Sequence, residues 1–228
     1  MESEARKIFE RMTTSTVTPW GLISIHLGEI VGSEVCVART GVGKVMSAAA
    51  TTHMIETYRP QAVIYTGIAG AIDSTLDIGD LVVASECLQH DVDATLFGFG
   101  RGELPYDGVR WLAADPALFD IARRYEPESG RTVTGRIVTG DQFCSLESRR
   151  HMPYLIEELD ARAIDMEGAA AALVAYVLQT PFLHVRIISD KADGKAKVDF
   201  QRFLDGASAE IVTFLTYLLT KYRQLDPQ

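Results

Sequence analysis

Apolar and polar positions alternate along this chain with two different periods, and the places where the period changes mark its elements. Residues 2–12 put Ile8, Phe9 and Met12 on one face at helical spacing. Residues 20–27 and 34–39 then alternate with period two, which predicts two strands joined by a turn near Gly32-Ser33. A small-residue helix is predicted over 48–58 and is stopped by Pro60. Ala62-Val63-Ile64-Tyr65 reads as a short buried strand running into Thr66-Gly67-Ile68-Ala69-Gly70, and Leu81-Val82-Val83-Ala84 opens another. Further on the pattern predicts a helix near 116–125, a strand near 131–139, a helix near 147–158, a helix over 167–179 and a strand over 182–188. A last helix spans 200–222, with Phe203, Ala207, Ile211, Leu215 and Leu218 on one face. Apolar strands alternating with helices predict an α/β sandwich around a largely buried sheet. No linker and no repeat interrupts it, so one domain over 1–228 is expected.

Between these elements, residues 91–110 carry Gly98, Gly100, Gly102, Pro105 and Gly108 and read as a long loop. Loops of that length in a compact fold usually carry function. Aromatic residues in it, Phe97 and Phe99, are placed to contact something outside the loop.

Composition narrows the partners. With 47% hydrophobic and 23% charged residues among 228, the chain is neither disordered nor of low complexity. Its 22 Lys and Arg against 31 Asp and Glu leave a net charge of −9, which repels phosphate backbones and argues against nucleic acid. The apolar run 169–178 falls far short of the roughly 20 residues a bilayer needs, so no membrane partner is expected. The opening residues are too charged for a signal peptide. Cys36, Cys87 and Cys144 form no CxxC pair and read as small buried residues of a reduced, cytoplasmic protein. The five histidines lack ligand spacing, Asp91 and Asp93 read as loop polar groups, and neither a metal nor an organic cofactor is expected.

The chemistry is expected just past the strands, because ligands of α/β folds gather at strand carboxyl ends. There stand Thr66-Gly67-Ile68-Ala69-Gly70, whose glycines let backbone N–H groups approach a ligand. Thr139-Gly140-Asp141-Gln142-Phe143-Cys144, Asp165-Met166-Glu167-Gly168 and Ser189-Asp190 follow other strands. Converging carboxylates are the equipment of glycosidic-bond cleavage, in which one acid protonates the leaving group and another activates water. Singly, Glu167 also fits a helix N-terminus and Asp190 an N-cap or turn. Gly41-Val42-Gly43-Lys44 lacks the spacing of a phosphate loop and reads as a strand-to-helix turn.

Taken in order, these segments resemble the 5′-methylthioadenosine/S-adenosylhomocysteine nucleosidases of the purine nucleoside phosphorylase superfamily. The match runs through Met1-Glu2-Ser3-Glu4, Thr40-Gly41-Val42-Gly43-Lys44-Val45, Thr66-Gly67-Ile68-Ala69-Gly70, His90-Asp91-Val92-Asp93-Ala94-Thr95, Phe97-Gly98-Phe99 and Gly102-Glu103-Leu104-Pro105. It continues through Thr139-Gly140-Asp141-Gln142-Phe143, Asp165-Met166-Glu167 and Arg186-Ile187-Ile188-Ser189-Asp190, and so spans essentially the whole chain. The resemblance implies a three-layer α/β/α sandwich with a central mixed, twisted sheet, a homodimer, and hydrolysis of adenine nucleosides by water. It also implies roles. Asp190 is the acid that protonates adenine N7, Glu4 polarises the water, and Glu167 with Met166 holds the ribose as positive charge develops. Phe143 stacks on adenine, the Cys144 backbone reads its edge, and Ser189 orients Asp190. Arg186 and the loop residues Ile68, Ala69 and Gly70 belong to the substrate site. Val42, Phe200 and, from a partner subunit, Phe97 and Pro105 form the apolar pocket for the 5′-alkylthio group, with Phe99 beside them.

Two departures stand out. Ile68 occupies a place where the family often has a small polar residue. The family also opens with an apolar strand before the Met-Glu pair, which predicts a coding segment upstream of Met1 that would position Glu4. A phosphorylase is the rival, but its arginine before the glycine loop is absent from Ile64-Tyr65-Thr66. Aminodeoxyfutalosine cleavage and non-catalytic binding of an adenine nucleoside are the further alternatives.

Overall fold

A computed structural model describes residues 2–191 and 200–225, apart from the side chains of 2–4, 14, 15, 146 and 200–205. Its strands form two sheets. The smaller is a meander of β1 (Thr13–Trp20), β2 (Ile23–Ile30) and β3 (Ser33–Ala38), all antiparallel. The larger has the order β6-β5-β7-β8-β4-β9 and is mixed. Its members are β4 (Val63–Ala71), β5 (Leu81–Gln89), β6 (Leu112–Ala113), β7 (Thr132–Thr139), β8 (Ala161–Asp165) and β9 (Phe182–Asp190).

Because β5 also pairs with β9, the sheet bends round on itself, and β5, β7, β8, β4 and β9 make a closed ring. A ring of so few strands leaves little room inside. The sequence meets that limit with Ala69, Ala71, Ala84 and Ala163 beside Val82, Ile137 and Ile188 in one buried cluster. Period-two alternation sends the other side of β5 and β9 outward: Leu81, Val83, Leu183, Val185 and Ile187 join a second cluster.

Helices cover both faces, giving the three expected layers. On the outer side of β5 and β9 lie α1 (Glu2–Arg11), α3 (Pro116–Ala122) and α7 (Phe200–Leu225), sharing Ile8, Leu118, Ile121, Ile211, Phe214 and Leu218 in that cluster. On the opposite side α2 (Lys44–Tyr58) packs against α6 (Gly168–Val177), and the alanines of α6 let it approach the strands closely. The helix expected over 147–158 is two short ones, α4 (Leu146–Arg150) and α5 (Tyr154–Glu157), separated by His151-Met152-Pro153. Proline lacks the N–H that a continuous helix needs there.

Candidate active site

The closed ring brings the ends of β4, β7, β8 and β9 to one place. Register sets Thr139 of β7 beside Asp165 of β8, and Gly70 of β4 beside Asp190 of β9. The turn between β3 and α2 completes the rim. Gly41 and Gly43 adopt φ near +90°, which favours glycine, so the chain turns sharply and starts the helix without a side-chain cap. The turn is therefore the strand-to-helix connection expected, and it binds a carboxylate from within: Gly43 N–H donates to Glu167 Oε1 at 3.0 Å.

The floor of the site is an ion cluster. Asp165 is buried, and its Oδ2 accepts from Arg186 Nε at 2.8 Å, from His184 Nε2 at 3.0 Å and from Gly168 N–H at 3.0 Å. Its Oδ1 accepts from Thr139 Oγ1 at 2.5 Å. The carboxylate also faces the positive end of α6. Burial alone would raise the Asp165 carboxyl, but Arg186 and His184 outweigh it and hold it well below the usual carboxylate range. Arg186, 4% exposed, extends past Asp165 so that its Nη2 lies 3.5 Å from Glu167 Oε2. Burial pushes the Glu167 carboxyl up, with Arg186 pulling the other way. The Glu167 carboxylate thus meets the Gly43 and Met166 backbone and the Arg186 guanidinium, and it lines the cavity.

Asp190 stands at the other side of this floor. It is 7% exposed, and Ser189 Oγ donates to its Oδ2 at 2.9 Å. A Cβ on Gly70 would come within 3.3 Å of Asp190 Oδ1, so the glycine gives the carboxylate its room. Three loops close the rim. Lys44 Nζ pairs with Asp91 at 2.7 Å, Lys44 N–H donates to Asp141 at 2.9 Å, and Asp141 N–H donates to Asp91 at 3.0 Å. Asp93 caps Thr95 and pairs with Arg101.

Asp165, Glu167, Arg186, Ser189 and Asp190 line a cavity of about 1200 Å³. Of the residues singled out in the sequence, Val42, Ile68, Ala69, Gly70, Phe143, Cys144, Met166, Glu167, Arg186, Ser189 and Asp190 all line it. Val42 and Phe143 stand at its mouth with about two thirds of their surface exposed. From the rim the cavity runs down between β3 and β4, where Val35, Val37, Ile64 and Ile68 line it. Phe97, Phe99 and Pro105 do not line it. Phe97 is exposed in a 3-10 turn at Thr95–Phe97, and Phe99 packs edge-on against Tyr106. Glu4 lies in α1 and Phe200 begins α7, but the side chains of both lie outside the described residues. Sequence reasoning passed over His184, Tyr65 and Ser47, because nothing marks a polar group inside an apolar strand or small-residue helix as part of a site, and it gave Thr40 no role beyond its place in the turn.

His184 is fully buried, and burial pushes its imidazole below the ordinary 6.5 in spite of Asp165. A base whose folded pKa is depressed contributes stability that is complete above its unfolded pKa and lost as pH falls through the folded one. The thermal midpoint is therefore expected to fall as pH drops below 6.5, with His90, also buried and pushed down, sharing the effect. His184→Asn should make that decline shallower in a pH series of melting curves. An unchanged slope would assign the effect elsewhere.

Comparison with known proteins adds names to this geometry. The family model of the phosphorylase superfamily matches residues 1–220. A 5′-methylthioadenosine/S-adenosylhomocysteine nucleosidase of Staphylococcus aureus is 32% identical over 209 residues, covering 91% of each chain. The crystal structure of the nucleosidase of that name from Neisseria meningitidis, in complex with methylthio-immucillin-A, superposes with a TM-score of 0.87 at 34% identity, covering 97% of this chain and 96% of that one. A futalosine hydrolase mutant of Helicobacter pylori superposes with a TM-score of 0.88 at 31% identity, covering 97% and 96%.

Proposed function

The chain belongs to the 5′-methylthioadenosine/S-adenosylhomocysteine nucleosidases of the phosphorylase superfamily, and from that membership we propose how its cavity works. It hydrolyses the N-glycosidic bond of 5′-methylthioadenosine and S-adenosylhomocysteine, and of 5′-deoxyadenosine, and releases adenine. The observation that carries the reading is the convergence of two carboxylates, Glu167 and Asp190, on one cavity from the ends of different strands.

Cleavage leaves an oxocarbenium-like sugar and an adenine that departs easily only when protonated. Asp190 gives its proton to adenine N7, with the Ser189 hydroxyl holding the carboxyl in place. Glu167 takes the ribose hydroxyls. The cluster of Asp165, Glu167 and Arg186 carries two negative charges against one positive while His184 is neutral, so a surplus negative charge lies beneath the developing cation. Met166 packs under the sugar, Phe143 stacks on the base, and the Cys144 backbone reads its edge. Glu4 polarises the attacking water. Water rather than phosphate suits a floor where Arg186 is already paired with carboxylates.

The same reading makes residues 1–228 one domain of a cytoplasmic homodimer, in which the partner's Phe97 and Pro105 reach the apolar end beside Val42. The exposure of Phe97, Val42 and Phe143 supports that arrangement. Among the described residues, no helix is long and apolar enough to cross a membrane. Likeness to a futalosine hydrolase supports aminodeoxyfutalosine as a second candidate substrate.

Adenine release from each nucleoside in phosphate-free buffer tests the reading. Turnover without phosphate is expected; strict phosphate dependence would make the protein a phosphorylase, and tight binding without turnover a binding protein. Glu167→Gln and Glu4→Gln should each lose at least about 10²-fold in kcat. Near-normal turnover in either would remove that residue from the mechanism.

A further inference from the structure

Two groups that hold the Glu167 carboxylate, the Gly43 N–H and the Arg186 guanidinium, trace back to one side chain inside β4. The Tyr65 hydroxyl lies 2.8 Å from Thr40 Oγ1, at the head of the turn that carries Gly43, and accepts from Ser47 Oγ, in the first turn of α2, at 2.9 Å. Ser47 is fully buried, and its hydroxyl also reaches the Glu167 backbone carbonyl at 3.1 Å. The hydroxyl of Tyr65 thus ties together the two segments that flank the Gly43 N–H, the donor to Glu167 Oε1. Its ring does the second task. The Arg186 guanidinium carbon sits 5.1 Å from the ring centroid, within cation–π range, on its way to Glu167 Oε2. His184 meets the same ring edge-on at a centroid distance of 6.1 Å. Burial pushes the Tyr65 hydroxyl above its ordinary range, so it stays neutral and able to donate.

We infer that Tyr65 is a positioning residue that aims the Glu167 carboxylate, its hydroxyl setting the Gly43 donor and its ring setting Arg186. Neither part of Tyr65 needs to touch substrate. The inference rests on the reading that Glu167 holds the ribose hydroxyls. It separates two effects that a merely space-filling tyrosine would not. Loss of the hydroxyl loosens the turn at residues 40–43 and weakens ground-state grip on the sugar, which appears in KM. Loss of the ring lets Arg186 shift and weakens charge placement as the bond breaks, which appears in kcat.

Five proteins test this: wild type, Tyr65→Phe, Ser47→Ala, the double variant of those two, and Tyr65→Leu as the ringless comparison. Tyr65→Phe should raise KM for 5′-methylthioadenosine about two- to tenfold with kcat nearly unchanged, the range expected for one lost hydrogen bond. Tyr65→Leu should lower kcat as well, and phenylalanine at that position should restore kcat but not KM. Ser47→Ala and Tyr65→Phe should combine less than multiplicatively, because they cut the same connection. Amide hydrogen exchange gives a readout that needs no turnover. The Gly43 N–H should exchange about two- to tenfold faster in Tyr65→Phe than in wild type, with melting temperatures close together.

Unchanged Gly43 exchange in Tyr65→Phe, or fully multiplicative effects on KM, would overturn the inference and leave Tyr65 a packing residue. If wild type releases no adenine from any of the nucleosides, the proposed hydrolysis fails, and the exchange measurement still decides whether Tyr65 holds the turn.

Discussion

Asp190→Asn is expected to lower kcat for adenine release at least about 10²-fold, with KM and melting temperature close to wild type. The substitution keeps the size of the side chain and leaves Ser189 an amide oxygen to donate to, in place of the carboxylate it now meets at 2.9 Å. The room left by Gly70 beside Oδ1 accommodates an amide group as well as an oxygen. What disappears is the dissociable proton. A neutral amide cannot transfer one to adenine, so the base must leave as an anion, and the loss falls on the chemical step and not on binding. Single-turnover measurement of adenine release separates the two. A kcat within tenfold of wild type would show that Asp190 is not the acid and send the search to another group of the cavity.

The largest effect on stability is expected at Asp165. Asp165→Ala removes the common acceptor of Arg186, His184, Thr139 and the Gly168 N–H in one step. Arg186 remains buried, with the Glu167 carboxylate at 3.5 Å as the nearer half of a broken cluster. Stranding a buried charge in this way costs about 3–5 kcal/mol, far more than the net worth of the pair itself. In a protein of this size that corresponds to a fall in melting temperature on the order of 10 °C. Asp165→Asn, which keeps an acceptor but loses the charge, should fall between the two. Calorimetry across the three proteins checks the order, and a fall of less than about 2 °C in Asp165→Ala would mean that Arg186 finds another partner.

The elements that sequence pattern reveals are those whose burial is regular. The helix expected over 200–222 is α7, and the strands expected over 131–139 and 182–188 are β7 and β9, because each presents an apolar face or an apolar run to the core. β1 was not legible: Thr13–Trp20 reads TTSTVTPW, most of it threonine or serine, with Val17 half exposed on a sheet edge where proline is tolerated. Nor was the length of β4, which runs on through Gly67 and Gly70 into what reads locally as a loop. Its ladder with β9 holds it extended there, and that pairing joins segments remote in sequence. Closure of the sheet into a ring was equally invisible, since alternation reports which face is buried and not which strand lies alongside.

Within the site, Glu167 and Asp190 could be picked out because they stand where apolar strands end and ligands gather, whereas Asp165, in the same segment as Glu167, was given no role of its own. Tyr65 and His184 sit inside such strands and read as core. They are core by position, and only the structure shows that their polar atoms point at Asp165 and at the turn before α2.

The ring also sets the order in which the molecule can come together. Closing it requires β9, near the end of the chain, to insert between β4 and β5, which are made much earlier. Contacts so distant in sequence form slowly. Until β9 arrives, β4 and β5 expose unpaired edges suited to joining other chains. During synthesis the nascent protein therefore passes through a stretch in which most of its sheet exists but both edges are open. The strand that ends this exposure is the one that delivers Arg186, Ser189 and Asp190. Protection of these edges and delivery of the proposed acid are thus a single event in folding, and a truncation before β9 forfeits both.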